Sequence, residues 1–153
     1  MKIRLAITKD AVEISNLISC LSKKFIAGDC SDNGALKLLS SMQSESILEY
    51  MRDGYRYHVG ELDGLIVGVV ATKNNSHLYH LFVSESEQGN GYSSLLWETA
   101  KNACVAAGNK GEFTVNSSLN AQEVYKCWGF KPTQGRRESN GVIDVPMELS
   151  IGS

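Results

Sequence analysis

The chain has 153 residues, 42% of them hydrophobic and 21% charged, and its formal net charge at pH 7 is −2. This length and composition predict one compact globular domain over residues 1–153. The near-balanced charge gives no electrostatic reason to expect a nucleic acid partner, so small molecules and proteins remain as the expected ligands.

The sequence also argues against membrane and metal chemistry. The segment Met1–Leu5 alternates from the start and lacks the apolar run of a signal peptide. No later segment is long and apolar enough to cross a bilayer, so we expect a cytoplasmic protein without a membrane partner. The cysteines lack the spacing of metal ligands, which favours reduced, mostly buried thiols and no bound metal. They are Cys20, Cys30, Cys104 and Cys127.

The N-terminal third predicts a strand followed by helices. Apolar residues alternate over Ile3–Ile7, which is the period of a half-buried strand. Asp10 and Glu13 have the spacing of a capping box, and an amphipathic helix pattern follows them. After a polar loop at Gly28–Asn33, the pattern over Leu36–Met51 predicts one or two short helices.

The middle of the chain predicts three consecutive strands. Asp63-Gly64 separates the β-rich runs Tyr55–Leu62 and Leu65–Thr72, which is a strong hairpin signal. The polar residues Asn74–Ser76 then form a turn into a third run, His77–Val83.

A glycine-bearing turn, Gln88–Ser93, joins this third strand to a helix that ends near Gly108. The first amides of a helix lack internal partners and lie at the positive end of its dipole, so such a turn can bind a diphosphate. The helix is predicted to bury one apolar face. Its members are Tyr92, Leu95, Leu96, Ala100, Ala103 and Ala107.

The C-terminal third predicts a strand, a helix and a hairpin. Phe113–Asn116 is typical of a short buried strand, and Asn120 with Glu123 has the spacing of a second capping box. The helix that follows ends near Gly129, and Ser139–Gly141 is the predicted turn of the hairpin. A mixed α/β sheet with helices on both faces is the simplest fold that buries these elements.

The sequence of the glycine turn fits two known phosphate-binding motifs poorly. A Walker loop ends in Gly-Lys-Ser/Thr, and no lysine occurs between Lys73 and Lys101. A dinucleotide fingerprint needs a third glycine, where this chain has Ser94, and usually turns directly after the strand, whereas Ser84–Gln88 intervene. A dinucleotide-binding protein remains an alternative.

A third interpretation depends on resemblance. The segment Leu81–Leu96 resembles the acyl-CoA motif of the GNAT acyltransferase superfamily, with Gln88 and Gly91 in place and Ser93 where the family has Gly or Ala. Downstream, Tyr125 and Gly129-Phe130 are similar to the signature that ends the family's last helix. The order of elements also matches, which implies a central, mostly antiparallel sheet of six to seven strands flanked by about four helices.

The resemblance implies acetyl-CoA as cosubstrate, with its pantetheine arm along the strand and its diphosphate on the loop amides. The loop carries Glu85 and Glu87 and no Lys or Arg, so we expect weaker CoA binding than in relatives with basic loops. Two asparagines fall where family members contact pantetheine or substrate. The expected cofactor contacts are Leu81, Phe82, Val83, Gln88, Gly89, Asn90, Gly91, Tyr92, Ser93, Asn116 and Asn120.

The resemblance also implies two catalytic residues. Tyr125 would protonate the leaving thiolate, since a phenol is protonated at neutral pH, although packing beside Trp128 would equally explain a tyrosine there. His77 takes the register of a family glutamate and could accept the amine proton, or could be a structural strand-end histidine. By alternation, we expect one face of this strand to carry His77, Tyr79, Leu81 and Val83, and His80 to point to the other.

The sequence therefore predicts an N-acetyltransferase that moves an acetyl group from acetyl-CoA directly to a primary amine of a small molecule or protein. The alternative is a CoA-binding or protein-interaction module without turnover. We expect a monomer or a homodimer.

Overall fold

The structure of the protein is a computed structural model that describes residues 1–151. Its central feature is an eight-stranded sheet. The strands are β1 (Lys2–Leu5), β2 (Arg56–Leu62), β3 (Leu65–Lys73), β4 (His77–Val83), β5 (Glu112–Ser117), β6 (Lys131–Pro132), β7 (Arg137–Ser139) and β8 (Val142–Ser150).

Helices flank the sheet, so the predicted mixed α/β fold is confirmed. The sheet has one strand more than the seven expected, because two short strands, β6 and β7, replace the first strand of the last predicted hairpin. Across residues 1–151, none of the helices has the length and apolar character that a membrane span requires. The helices are α1 (Ala11–Phe25), α2 (Asp32–Ser40), α3 (Ser44–Arg52), α4 (Tyr92–Ala106) and α5 (Gln122–Cys127).

The strands lie in the order β1-β2-β3-β4-β5-β8-β6, and β7 pairs with β8. Among the described residues, β4 and β5 form the parallel neighbours and the other pairs are antiparallel. The long connection through α4 links these two parallel strands, as a parallel pair requires.

The predicted turns form as expected. Asp63 and Gly64 have φ values of 52° and 81° and join β2 to β3, with Leu62 paired to Leu65. Two central residues with positive φ match the twist of the flanking strands, which explains the Asp-Gly pair here. The turn between β3 and β4 likewise places Asn74 and Asn75 at positive φ.

The predicted capping box at the start of α1 is wrong. The Asp10 carboxylate accepts from the Ile7 amide at 2.8 Å and from both terminal nitrogens of Arg4, at 2.8 and 3.0 Å. Glu13 Oε2 accepts from the Ile66 amide of β3 at 2.7 Å. Asp10 therefore bonds to residues that precede the helix, and Glu13 makes a tertiary contact that a local pattern cannot reveal.

The other capping box, predicted at Asn120 and Glu123, is also wrong. Helix α5 begins after Ala121, and the Asn120 side chain donates to the carbonyl of Phe25 at the end of α1. Asn120 therefore ties α5 to α1 instead of capping its own helix.

The hydrophobic core is divided between the two faces of the sheet. The α4-side core lies beneath α4 and α5 and takes residues from β3, β4, β5 and β8. The α1-side core lies beneath α1 and α3, and its buried strand residues come from β2 and β3. The α4-side core thus spans both halves of the sheet, whereas the α1-side core covers only the N-terminal half.

Helix α4 buries only part of the predicted stripe, since Leu96 and Ala100 are buried as predicted but Leu95 is not. Trp97 is 1% exposed and its ring packs edge-on against Phe113 at 5.2 Å, whereas Leu95 is 52% exposed. Cys104 shares the buried stripe. The expectation of mostly buried thiols is wrong, because Cys104 is the buried one of the four; Cys20 and Cys127 are exposed and Cys30 is partly buried.

Candidate active site

β4 and β5 separate after a short stretch of pairing. Within residues 1–151, the register of the two strands pairs His77 with Thr114 and Leu78 with Val115 and goes no further. Beyond these pairs β4 stays with β3, and β5 stays with β8 through Ser117. The two antiparallel pairs therefore diverge and leave a cleft between the C-terminal ends of β4 and β5.

A β-bulge at Tyr79 changes which β4 side chains share a face. Ala71 of β3 pairs with His80 and its neighbour Thr72 pairs with Leu78, so Tyr79 has no partner. A bulge inserts one residue and breaks the alternation. Leu78 therefore packs with Leu81 and Val83 in the α4-side core. The predicted face shared by His77, Tyr79, Leu81 and Val83 is wrong.

The first cavity in the cleft, which we call the groove, has a volume of about 310 Å³. It lies between the end of β4, the glycine loop and α5. Its lining residues are Leu81, Val83, Glu87, Gln88, Gly89, Gly91, Tyr92, Ser93, Ala121, Val124 and Tyr125.

The glycine loop presents free backbone donors to the groove. Gly89 and Gly91 have φ values of 88° and 78°, a conformation that glycine adopts without strain. Within residues 1–151, no acceptor is bonded to the amides from Gly89 to Ser93. Gln88 Nε2 donates to the Val83 carbonyl at 3.1 Å and fixes the loop to the strand end. The loop thus has the geometry that anion binding at a helix start requires.

The two acidic residues of the loop differ in their surroundings. Lys24 Nζ lies 2.6 Å from a carboxylate oxygen of Glu85, so an α1 cation balances that charge. Glu87 lines the groove, and no cation within residues 1–151 is paired with it. The unbalanced negative charge beside the free amides is therefore that of Glu87.

Tyr125 lies between the groove and the rest of the cleft. Tyr125 is 8% exposed, and its ring packs edge-on against Trp128 and Phe130, with ring centroids 5.7 and 5.6 Å away. Its hydroxyl has no hydrogen-bond partner among the described residues and is not completely enclosed by protein. Burial raises the pKa of the phenol, so Tyr125 stays protonated at neutral pH.

A second cavity of about 250 Å³, which we call the inner cavity, lies beyond Tyr125 and shares Leu81, Ala121 and Tyr125 with the groove. The two cavities are therefore parts of one cleft. The remaining lining residues are Ile26, Leu38, Ser41, Met42, His77, Leu78, Tyr79, His80, Phe82, Val115, Asn116, Ser118, Val142, Ile143 and Asp144.

His77 lines the inner cavity at the point where β4 and β5 meet. Its Nδ1 lies 2.7 Å from Thr114 Oγ1 on β5. Burial, together with the positive charges of Lys73 and Arg137, lowers the pKa of the imidazole below 6.5. His77 is therefore neutral at pH 7, which a proton acceptor requires.

A second histidine of the cavity is unsuited to proton transfer. His80 is 5% exposed, shares a hydrogen bond of 3.0 Å with the Tyr57 hydroxyl, and packs against Tyr79. Burial lowers the pKa of His80 to about 3, so it remains neutral and structural. Among residues 1–151, no group of three or more His, Cys, Asp or Glu side chains is placed to hold a metal ion.

The predicted site residues do not all share one cavity. Most of the predicted cofactor contacts line the groove, but Phe82 and Asn116 line the inner cavity. Asn120 lines a third cavity, against the end of α1. Asn90 is exposed at the loop tip and lines none of the three.

Sequence reasoning missed two residues near the site. Thr114 is recognisable as facing away from Phe113 and Val115 by alternation, but its contact with His77 depends on the register of two distant strands. Lys24 precedes Glu85 by about sixty residues and no local pattern relates them.

A sequence profile of the acetyltransferase (GNAT) domain matches residues 26–151, well over half of the chain. The chain belongs to the GNAT acetyltransferase family. By family it is therefore an acetyltransferase. None of the curated protein sequences matches it.

Solved structures of GNAT proteins share the fold over nearly the whole chain. One is the GCN5-related N-acetyltransferase from Rhodopseudomonas palustris, with a TM-score of 0.83 and 20% identity over 98% of this chain and 95% of that chain. Another is the PaiA N-acetyltransferase from Thermoplasma acidophilum in complex with coenzyme A. Its TM-score is 0.78, and it is 16% identical over 99% of this chain and 100% of that chain. A third is a phosphinothricin acetyltransferase from Sinorhizobium meliloti in complex with AcCoA. Its TM-score is 0.70, and it is 14% identical over 99% of this chain and 88% of that chain.

Proposed function

We propose that this GNAT protein transfers an acetyl group from acetyl-CoA directly to a primary amine. The observation that carries the proposal is the groove, which is lined both by the glycine loop with its free amides and by the protonated Tyr125. A diphosphate needs clustered N–H donors, and breaking a thioester needs a proton donor for the leaving sulfur.

The cofactor is expected to span the groove. The edge of β4 beyond Leu78 is unpaired toward β5, so a pantetheine arm can add to it through main-chain bonds at Leu81, Phe82 and Val83. The amides of the glycine loop, with no Lys or Arg among residues 84–93, would hold the diphosphate. Asn116 and Asn120 remain predicted contacts to the arm or the acceptor.

The chemistry is carried by two residues on opposite sides of the cleft. The amine nitrogen attacks the thioester carbonyl, the carbon–sulfur bond breaks, and Tyr125 donates its proton to the departing sulfur. His77, or a water that it holds, takes the proton that the amine loses. Solvent then returns a proton to Tyr125 and removes one from His77. Holding both reactants side by side supplies most of the rate.

Two measurements on the purified protein test this function. Acetyl-CoA at a hundred times its dissociation constant should stabilise the fold by about 2.7 kcal/mol in a thermal shift assay, whereas NAD should not. Free thiol should then appear when primary amines are added. Stabilisation without thiol release from any amine would support the CoA-binding module, and stabilisation by NAD alone would support a dinucleotide-binding protein.

Neutralising Glu87 should tighten CoA binding. The Glu87→Gln variant removes a negative charge beside the proposed diphosphate site, so the dissociation constant should fall roughly threefold to tenfold at low salt, with less gain at high salt. Calorimetric titration at two ionic strengths measures this. Glu45→Gln, an exposed change on α3, is the matched control and should have no effect. Equal affinities of both variants and the wild type would place the diphosphate elsewhere.

The proposed base predicts a specific pH dependence. Because the folded pKa of His77 is lowered below 6.5, the acidic limb of kcat/KM should lie below pH 6.5, with activity rising as pH rises through it. His77→Gln should remove that limb and lower kcat about tenfold to 100-fold. An acidic limb that persists in the variant would show that His77 is not the base.

A further inference from the structure

The inner cavity is closed on one side by contact between α2 and the turn of the last hairpin. The Ser31 amide donates to the Gly141 carbonyl at 3.0 Å. The backbones of Gly34 and Gly141 are so close that a Cβ added to either would overlap the other segment. Leu38 follows on α2 and Val142 follows the turn, and both line the cavity. The contact therefore forms a wall of the cavity.

The described lining of the inner cavity has little negative charge that could balance a positive charge on a bound molecule. Its side chains are mostly apolar or aromatic, such as Ile26, Leu38 and Ile143. The one carboxylate among its described lining residues is Asp144, whose Oδ1 accepts from Arg137 Nε at 2.7 Å. Burying an ammonium group there would remove its hydration shell, and no free carboxylate of the described lining would offset that cost.

The volume of the inner cavity limits the size of what it encloses. Its volume of about 250 Å³ lies just below the range of about 300–1,000 Å³ that is usual for small-molecule sites. A compact molecule fits within that volume, whereas a polypeptide chain needs an open path across the site. The contact of Gly34 with Gly141 blocks such a path on the α2 side.

On the basis of the proposed function, we infer that the acceptor is a compact monoamine with an apolar body, not a polycation or the end of a polypeptide. Its amine enters the cavity as the neutral form beside His77, and its apolar part packs against Leu38, Val142 and Ile143. A polyamine would have to bury a second charge, and a peptide would have to displace the wall.

Thiol release from acetyl-CoA with three classes of amine tests the inference. Benzylamine and isopentylamine represent apolar monoamines, spermidine represents polycations, and a tripeptide with a free N-terminus represents proteins. The monoamines should give kcat/KM values at least about tenfold higher than the other two classes. A higher value for spermidine or the tripeptide would overturn the inference and leave the proposed function intact. Release with no amine would overturn the proposed function itself, and the inference with it.

A variant of the wall provides an independent test. Gly34→Ala places a methyl group against the Gly141 carbonyl and should push the turn away, while alanine favours helix α2 more than glycine does. The tripeptide-to-monoamine ratio of kcat/KM should rise several-fold. Gly135→Ala is the matched control, because a Cβ there meets nothing within 4 Å. A tripeptide-to-monoamine ratio that is unchanged in Gly34→Ala would contradict the wall, and so would an equal rise in Gly135→Ala. Unfolding curves of both variants test whether they are folded.

Discussion

Replacing Tyr125 with phenylalanine should lower kcat by about 100-fold or more, in the range that general acids contribute. The substitution removes one oxygen and keeps the ring, so the packing against Trp128 and Phe130 should persist. The hydroxyl has no hydrogen-bond partner among residues 1–151, so its removal leaves no protein group unsatisfied. The dissociation constant of acetyl-CoA should therefore stay nearly unchanged while kcat falls.

The pH dependence of this effect is a further part of the prediction. Because burial raises the pKa of Tyr125, the phenol is protonated throughout the neutral range, and the loss in kcat should be the same at pH 6 and pH 8. Tyr55→Phe is the control, since this tyrosine stacks on Tyr50 at 4.8 Å outside the groove. Single-turnover rates measure the chemical step. A kcat for Tyr125→Phe equal to that of the control would assign Tyr125 to packing alone.

Replacing Gly91 with alanine should weaken CoA binding by about tenfold or more. Gly91 precedes the first turn of α4 with φ of 78°, and a Cβ there meets no protein atom within 4 Å. The added methyl group would either stand in the proposed diphosphate site or force the loop out of the left-handed conformation that aims its amides. Both outcomes remove donors from the anion.

Gly54 provides the matched control for this variant. It has φ of 93°, a Cβ there also meets nothing within 4 Å, and it follows α3 outside the groove. Each alanine variant should lose roughly 1–2 kcal/mol of folding free energy through the left-handed conformation. Only Gly91→Ala should lose CoA affinity in a calorimetric titration. Equal affinities of the two variants would mean that the loop does not bind the diphosphate.

Local chemistry explains which parts of the fold could be predicted from the sequence. The Asp63-Gly64 hairpin and the glycine loop before α4 follow from backbone preferences of a few adjacent residues, and both form as predicted. The capping boxes failed because Glu13 and Asn120 bond to Ile66 and Phe25, which are distant in the chain. Tertiary contacts override a four-residue pattern.

The same distinction applies to the candidate site. Residues on the glycine loop are adjacent in sequence, so their gathering in the groove could be predicted. The orientation of His77 could not, because it depends on the bulge at Tyr79 and on the register of Thr114 across the cleft. The closure of the inner cavity depends on Gly34 meeting Gly141, two glycines in separate elements with no shared motif.

The short pairing of β4 with β5 has a mechanical consequence. Two residue pairs join the N-terminal and C-terminal halves of the sheet, and the core that crosses this seam lies on the α4 side only. On the α1 side the halves are held by polar contacts instead, such as those from Asn120 to the carbonyl of Phe25 and from the amide of Ser31 to the carbonyl of Gly141. A change of angle between the halves would have to break these few contacts, whereas the apolar core beneath α4 runs across the seam without interruption. The shape of the cleft therefore depends on a continuous apolar core on one face of the sheet and on a few polar contacts on the other.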